Sequence, residues 1–217
     1  MERTAAEKAA FYVAGRLGRA LRLKGRAVMA SAGGRSVKTV LRHLAAAPLE
    51  WGAIDVFLTD ERLGDLQGLE RNIDVVRNNL AAPLLAAGRW PVDRLHPYPG
   101  IAADDRPALE GYGSDLAAHG GACDVVLLGA GEDGHVASLF PRHASLGSEE
   151  EFFLAIADSP KPPPERMSMS PRLIARSGGA ALLFLGSGKW AALEAVRDVG
   201  GGAQGGAATI VLAAGGG

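Results

Sequence analysis

The chain has 217 residues, of which 47% are hydrophobic and 22% are charged, and its formal net charge at neutral pH is −1. This composition excludes a disordered chain and predicts one globular domain spanning residues 1–217. The small net charge excludes a general attraction for nucleic acid, and no apolar run approaches the ~18 residues of a membrane span. The single cysteine, Cys123, excludes an internal disulfide, and with no signal-peptide core in evidence a cytoplasmic location is expected.

Strand-like apolar runs alternate with helical patterns along the chain. The first helix opens on a capping box, with Thr4 as N-cap and Glu7 three residues later. The predicted helices cover residues 4–23, 73–85, 109–116 and 189–199, and a further helix follows Gly33-Gly34 and runs through Val40, Leu41 and Leu44. The predicted strands cover residues 26–31, 54–59, 96–98, 124–128, 152–157, 180–185 and 209–212. This alternation predicts crossover units and an α/β fold with a mostly parallel sheet. The glycine-rich residues 200–206 and 215–217 are expected to be flexible.

The most informative segment is the loop that follows the predicted strand 124–128. It places Gly129, Gly131 and Gly134 around two carboxylates and ends on His135. Glycines let the backbone approach a ligand closely, and a histidine exchanges protons near neutral pH. Since open α/β folds bind ligands at the carboxyl ends of their strands, this loop is predicted to form a functional site.

A second loop, residues 31–36, joins a predicted strand to a predicted helix. Gly33 and Gly34 leave the backbone N–H groups at the helix start accessible, and Arg35 and Ser36 follow them. Exposed N–H groups at a helix start bind anions, so this loop is predicted to bind phosphate. A tight turn with a serine cap is the simpler alternative.

Charged groups also occur in two further loops. Asp60, Glu61 and Arg62 follow the strand 54–59, and Lys161 and Arg166 flank three consecutive prolines. Prolines stiffen a segment, so the second loop has the features of a preset cationic clamp. Considered alone, either loop could equally be a solvated turn or an inert connector.

Other chemistries fit the sequence less well. Gly129, Gly131 and Gly134 match a dinucleotide fingerprint, but two acidic residues between the last two glycines would repel a pyrophosphate. A metal site is not expected, because His135 and His143 lie eight residues apart and the sequence has no His-x-x-x-His pair and no cysteine cluster. Cys123 starts the strand that leads to His135, which excludes a dyad and predicts a core position. Ser138 is expected to start a helix rather than to act as a nucleophile.

Taken together, the four segments resemble the 6-phosphogluconolactonases over residues 5–200. The segments that carry this resemblance are Gly33-Gly34-Arg35-Ser36, Trp51 through Asp60-Glu61-Arg62, Gly129 through Pro141, and Lys161 through Ser168. Val37 and Glu70-Arg71-Asn72 depart from the usual residues of this family. The resemblance implies a Rossmann-like three-layer α/β/α domain shared with ribose-phosphate isomerases and glucosamine-6-phosphate deaminases.

The resemblance further implies hydrolysis of 6-phospho-D-glucono-1,5-lactone to 6-phosphogluconate in the pentose phosphate pathway, with no cofactor. In that reaction His135 would be the base, Asp133 would orient it, and Arg62 would polarise the carbonyl or bind substrate. The predicted substrate- and phosphate-binding residues are Gly33, Gly34, Arg35, Ser36, Asp60, Gly131, Lys161 and Arg166. The expected partner is a small sugar-phosphate lactone, and the chain is expected to be a monomer or a small homo-oligomer.

Two other functions remain open at this level. A glucosamine-6-phosphate deaminase would have the same fold, but it carries Asp-Glu-Tyr where this chain has Asp60-Glu61-Arg62. A sugar-phosphate sensor would need a DNA-binding region, and residues 1–25 supply one helix at most.

Overall fold

The computed structural model describes residues 4–66, 68–184, 189 and 192. The helices are α1 Ala5–Lys24, α2 Arg35–Ala45, α3 Asn72–Val76, α4 Ala82–Ala86, α5 Arg106–Ala118 and α6 Pro171–Arg176. The strands are β1 Ala27–Ser31, β2 Ile54–Leu58, β3 Asp60–Arg62, β4 Val125–Gly129, β5 Phe153–Ile156, β6 Arg166–Met169 and β7 Ala180–Leu183. A π-helical turn, Arg77–Ala81, joins α3 to α4. Among the described residues no helix is both long and apolar enough to cross a membrane.

A parallel four-stranded sheet forms the centre of the fold, in the order β2-β1-β4-β7. Ser31 pairs with Leu58 on one side and with Leu127 on the other, so β1, β2 and β4 end at the same edge. The loops that follow these three strands therefore emerge together, as expected for parallel strands joined by crossovers. The predicted α/β fold with a mostly parallel central sheet is confirmed.

The predicted core and caps agree with the structure. Thr4 and Glu7 form the expected capping box at the start of α1, and Gly25 ends this helix in the left-handed region with φ +72°. Every residue of β1 and of β2 is buried. Cys123 is also buried, and burial raises the pKa of its thiol to about 12, which agrees with a core role.

Several local predictions were wrong. Residues 96–98 do not form a strand: Leu95 makes one isolated bridge to Val56, and Pro97 and Pro99 lack the N–H groups that a longer ladder needs. The segment 152–157 does contain a strand, but β5 belongs to a separate antiparallel sheet, β3-β6-β5. Strands β3 and β6 and helix α6 were not predicted. The predicted helix 189–199, strand 209–212 and flexible glycine segments lie outside the described residues, apart from Lys189 and Ala192.

Candidate active site

The loop after β4 folds back on itself through two backbone hydrogen bonds that involve Gly131. The Gly131 N–H donates to the His135 carbonyl at 2.8 Å, and the Gly134 N–H donates back to the Gly131 carbonyl at 3.1 Å. Gly134 has φ +86°, a conformation that favours glycine. A Cβ at Gly131 would lie 2.2 Å from His135 Nδ1 and 2.5 Å from Asp133 Oδ1. The two side chains therefore pack directly over Gly131, a position that only glycine can occupy without moving them.

Three of the predicted site residues form one hydrogen-bonded group. His135 Nδ1 lies 2.6 Å from Asp133 Oδ1, and Lys161 Nζ lies 3.1 Å from the same oxygen. The imidazole also contacts the Phe140 ring, with 4.7 Å between ring centroids, and 19% of the His135 side chain remains exposed. Lys161 reaches Asp133 from the proline loop, so this loop and the β4 loop meet at the histidine.

The surroundings favour a neutral imidazole beside an ionised carboxylate. Burial lowers the pKa of His135, Asp133 opposes this effect, and Lys161 adds to it. Burial alone would raise the pKa of Asp133, but His135 and Lys161 outweigh burial and the pKa is lowered overall. When Nδ1 donates its hydrogen to Asp133, the lone pair of His135 lies on Nε2. The pair can therefore accept a proton near neutral pH.

Beneath this loop lies Asp60, in β3. Its carboxylate oxygens accept hydrogen bonds from the Thr59 and Ser138 hydroxyls, both at 3.0 Å, and the residue is 5% exposed. The Ser138 N–H donates to the Ser168 hydroxyl at 3.2 Å. Ser138 is fully buried in a turn, not at the start of a helix as predicted, because Val136 and Leu139 bridge across it. The Ser138 hydroxyl therefore links the His135 loop to Asp60 in β3 by a hydrogen bond.

Glu61 joins β3 to the start of α3. Its carboxylate accepts hydrogen bonds from the backbone N–H groups of Arg62, Asn72 and Ile73, at 2.8 to 2.9 Å. Burial raises the pKa of Glu61, against the lowering effect of these hydrogen bonds. The Asn72 amide in turn donates to the Asp60 carbonyl at 2.9 Å. A Cβ on Gly33 would lie 2.7 Å from the Asn72 Cα, so the loop of residues 31–36 packs directly against the start of α3.

Two arginines face each other across the antiparallel pair β3–β6, where Arg62 is in register with Arg166. Arg166 is 5% exposed and donates to the carbonyls of Lys161, Pro162 and Pro163, at 3.0 to 3.1 Å. Burial lowers its pKa. Arg62 donates to the Glu70 carbonyl at 3.2 Å, and among the described residues its Nε is buried without a partner. Arg166 therefore holds the proline loop, whereas Arg62 leaves one buried donor without a partner in the described part of the chain.

Positive charge collects at the start of α2. Gly34 is the N-cap with φ +91°, and no side chain caps this helix. The ammonium of Lys189 contacts the Ser36 hydroxyl at 3.2 Å. Burial lowers the pKa of Lys189, as do the nearby charges of Arg35 and Lys161, while Glu132 raises it. Uncapped helix N–H groups beside Arg35, Lys161 and Lys189 are an arrangement that can bind an anion.

The structure thus brings the predicted residues to one edge of the sheet. It also places there two residues that were not predicted as site residues, Asn72 and Lys189. The sequence signal that could have found Lys189 is the glycine-rich Gly186-Ser187-Gly188 before it, since glycines allow successive backbone N–H groups to form an anion-binding concavity. Fold and site together define an α/β protein whose candidate ligand site lies at the carboxyl edge of a parallel sheet.

Comparisons with known proteins agree with this description. Residues 1–214 match the family model described as glucosamine-6-phosphate isomerases/6-phosphogluconolactonase, and the chain belongs to this family. It is 34% identical over 202 residues to a 6-phosphogluconolactonase from Pseudomonas putida, covering 89% of this chain and 79% of the relative. A chloroplastic relative from Oryza sativa is 32% identical and longer, and the chain spans 61% of its length.

A solved structure of a 6-phosphogluconolactonase from Thermotoga maritima has the same fold. It superposes with a TM-score of 0.80 at 24% identity, covering 97% of this chain and 92% of the other.

Proposed function

We propose that the chain hydrolyses 6-phospho-D-glucono-1,5-lactone to 6-phosphogluconate, without a cofactor. The observation that carries this proposal is the His135–Asp133 pair, which lies at the same sheet edge as the anion site at the start of α2. A lactone is an ester, so its opening needs a water, a base and a group that stabilises an oxyanion. Membership of the family and the named relatives support this substrate.

In the proposed mechanism, His135 Nε2 takes a proton from water as the water oxygen attacks the lactone carbonyl. Asp133 stabilises the imidazolium that results. The tetrahedral intermediate collapses by breaking the bond to the ring oxygen, which takes the proton back from His135 and becomes a hydroxyl. Arg62 is assigned to the developing oxyanion, because it lies in β3 two residues after Asp60, whose carboxylate binds the His135 loop through Ser138.

The remaining residues are assigned to binding and positioning. The phosphate would lie at the Gly33–Gly34 turn, against Arg35, Ser36 and Lys189. Gly131 has no Cβ and so leaves the space that the His135 and Asp133 side chains occupy. We assign Asp60 and Arg166 to positioning rather than to substrate contact, since both are buried: Asp60 accepts a hydrogen bond from Ser138 of the His135 loop, and Arg166 donates to the carbonyls of the proline loop. A cytoplasmic location, a single domain and a monomer or small homo-oligomer stay predictions of the sequence.

The test is a comparison of two substrates. The lactone is generated from glucose 6-phosphate, and 6-phosphogluconate is followed through its dehydrogenase, against an enzyme-free control because the lactone also opens spontaneously. In parallel, glucosamine 6-phosphate is tested for release of ammonia. We expect acceleration of lactone opening and no ammonia. Ammonia release without faster lactone opening would contradict the proposal and favour a deaminase.

The pH dependence of kcat/KM provides a test of the base. Since burial lowers the pKa of His135, activity should be lost only as pH falls below the ordinary value of 6.5. Asp133 raises this pKa and Lys161 lowers it, so Asp133→Asn should shift the acidic limb to lower pH and Lys161→Met should shift it to higher pH. If the acidic limb of the kcat/KM profile lies at the same pH in the wild-type chain and in both variants, the assignment of this limb to His135 is contradicted.

Replacement of Lys189 tests the phosphate site. Charge-assisted hydrogen bonds contribute about 1.5–3 kcal/mol, so Lys189→Ala should raise KM roughly 10- to 100-fold and change kcat little. Inorganic phosphate should inhibit the wild-type chain competitively and inhibit the variant less. Lys38→Ala is the matched control, because Lys38 lies on the same helix as Ser36 but pairs with Glu70. An unchanged KM in Lys189→Ala would remove Lys189 from the site.

A further inference from the structure

A second group of polar side chains lies at β2, apart from the site described above. Asp55 is near the start of β2, His96 follows the turn Val92–Arg94, and His119 ends α5. One ligand atom from each of these three residues lies within 4.8 Å of the others. Three residues of strand separate Asp55 from Leu58, about 10 Å at the usual rise, so the group is removed from the carboxyl edge of the sheet.

The spacing of these atoms fits a tetrahedral metal site. Asp55 Oδ1 lies 3.1 Å from His96 Nε2 and 3.6 Å from His119 Nε2. A tetrahedral Zn²⁺ with bonds of about 2.0–2.2 Å holds its ligand atoms roughly 3.3–3.5 Å apart. The two histidine nitrogens lie within 4.8 Å of each other, so the three atoms could surround such an ion with adjustments of up to about 1.5 Å.

The Nδ1 atoms of His96 and His119 face hydrogen-bond acceptors, as the non-coordinating ring nitrogens of metal-bound histidines do. His119 Nδ1 lies 2.8 Å from the Asp115 carbonyl, and His96 Nδ1 lies 2.7 Å from the Asp115 carboxylate. A carbonyl and a carboxylate only accept hydrogen bonds, so each Nδ1 carries a hydrogen, and each ring directs its Nε2 toward Asp55, with His96 Nε2 at the hydrogen-bonding distance of 3.1 Å. Metal-binding histidines are oriented by this kind of partner. Phe57 stacks on His96 at 4.1 Å and fixes its ring plane.

Two ring nitrogens and a carboxylate that converge in this way can hold a positive charge between them. Arg94 supplies part of that charge, because its NH1 lies 3.1 and 3.2 Å from the two Asp55 oxygens. Its side chain is 37% exposed and can move outward, whereas Asp55 is only 2% exposed and stays in place. Within the described part of the chain, Arg94 hydrogen-bonds to Asp55 and not to the two imidazoles.

We propose that Asp55, His96 and His119 bind one divalent metal ion of the Zn²⁺ class. Two imidazoles and one carboxylate are a ligand set that zinc accepts, with a water as the fourth ligand. The ion would tie the edge strand β2 to the end of α5 and to the segment that carries His96. Its role is structural, so this proposal does not depend on the proposed function.

The test measures Zn²⁺ binding and thermal stability of chelator-treated full-length chain. The parent protein carries His135→Gln and His143→Gln, so that the other two histidine–aspartate pairs cannot bind zinc. Calorimetry should find one Zn²⁺ per chain. At free Zn²⁺ about 100 times Kd, Tm should rise by about 5–10 °C, because the ion binds only the folded chain. Co²⁺ should give the visible absorption of a tetrahedral site.

Three variants in this parent separate a metal site from a plain ion-pair network. His119→Gln should abolish both the binding and the rise in Tm, and Asp115→Asn should weaken binding about 10- to 100-fold. Arg94→Gln should strengthen binding, because it removes the competing cation from Asp55. Circular dichroism of the metal-free proteins checks their folding, and if His119→Gln does not fold, the other two variants decide. Absence of stoichiometric binding, or equal Zn²⁺ affinity in all the folded proteins, would overturn the proposal.

Discussion

Replacing His135 with alanine is expected to lower kcat/KM for the lactone about 10²- to 10⁴-fold, the usual contribution of a positioned general base. The imidazole is the group that accepts the proton of water in the proposed mechanism, and Asp133 and Lys161 lie against it. The measurement is initial rates of 6-phosphogluconate formation, corrected for spontaneous opening. Stability should change little, because the side chain is partly exposed and lies at the surface of the site.

His143→Ala is the matched control for this variant. His143 Nε2 also contacts an aspartate, Asp158, at 3.0 Å, and its ring also lies near Phe140. It has no role in the proposed mechanism, so its loss should leave kcat/KM within about twofold of the wild-type value, as for a surface change. If the two histidine variants lose activity equally, or if neither does, His135 is not the base.

Gly131→Ala is expected to lower kcat about 10²-fold or more, although it adds only one methyl group. The new Cβ would lie 2.2 Å from His135 Nδ1 and 2.5 Å from Asp133 Oδ1, so both side chains must move. A displacement of about 1 Å at catalytic groups costs on the order of 10²-fold in rate. The experiment compares kcat with Tm, because the expected defect lies in the geometry of the pair rather than in folding.

Gly129→Ala is the control for this second variant. Gly129 ends β4 in the same segment, but a Cβ there would meet its nearest neighbour, Val37, at an ordinary 3.8 Å. We expect its kcat to stay close to the wild-type value. Wild-type activity in Gly131→Ala would show that the close packing of the pair over Gly131 does not matter for catalysis.

Much of the fold followed from local patterns. The capping box at Thr4 and the apolar runs of β1, β2 and β4 are short-range signals, and the structure agrees with them to within about a residue or two. Strand β3 was missed because its residues, Asp60-Glu61-Arg62, are all charged. They become a strand only through pairing with β6, more than a hundred residues later in the chain.

The contacts of the site also fall into two groups, those that the local sequence predicts and those that only the folded chain creates. His135 and Asp133 are two residues apart in a glycine loop, so their contact could be expected from the sequence. The buried position of Arg166 could not be expected, since it depends on the carbonyls that the proline loop turns toward it. Lys189 is 153 residues from Ser36, and only the folded chain brings them together. The Asp55–His96–His119 group likewise combines three distant segments, which no spacing rule for metal ligands would find.

The rate of lactone opening, measured directly by phosphorus NMR, tests the central claim without coupling enzymes. Freshly generated 6-phospho-D-glucono-1,5-lactone is followed in buffer alone, with the wild-type chain and with His135→Ala, each with and without a chelator. We expect the wild-type chain to accelerate opening strongly, equally in both conditions because the proposed reaction uses no metal, and His135→Ala to lose most of the acceleration. Opening at the buffer rate with folded wild-type chain would contradict the proposed function.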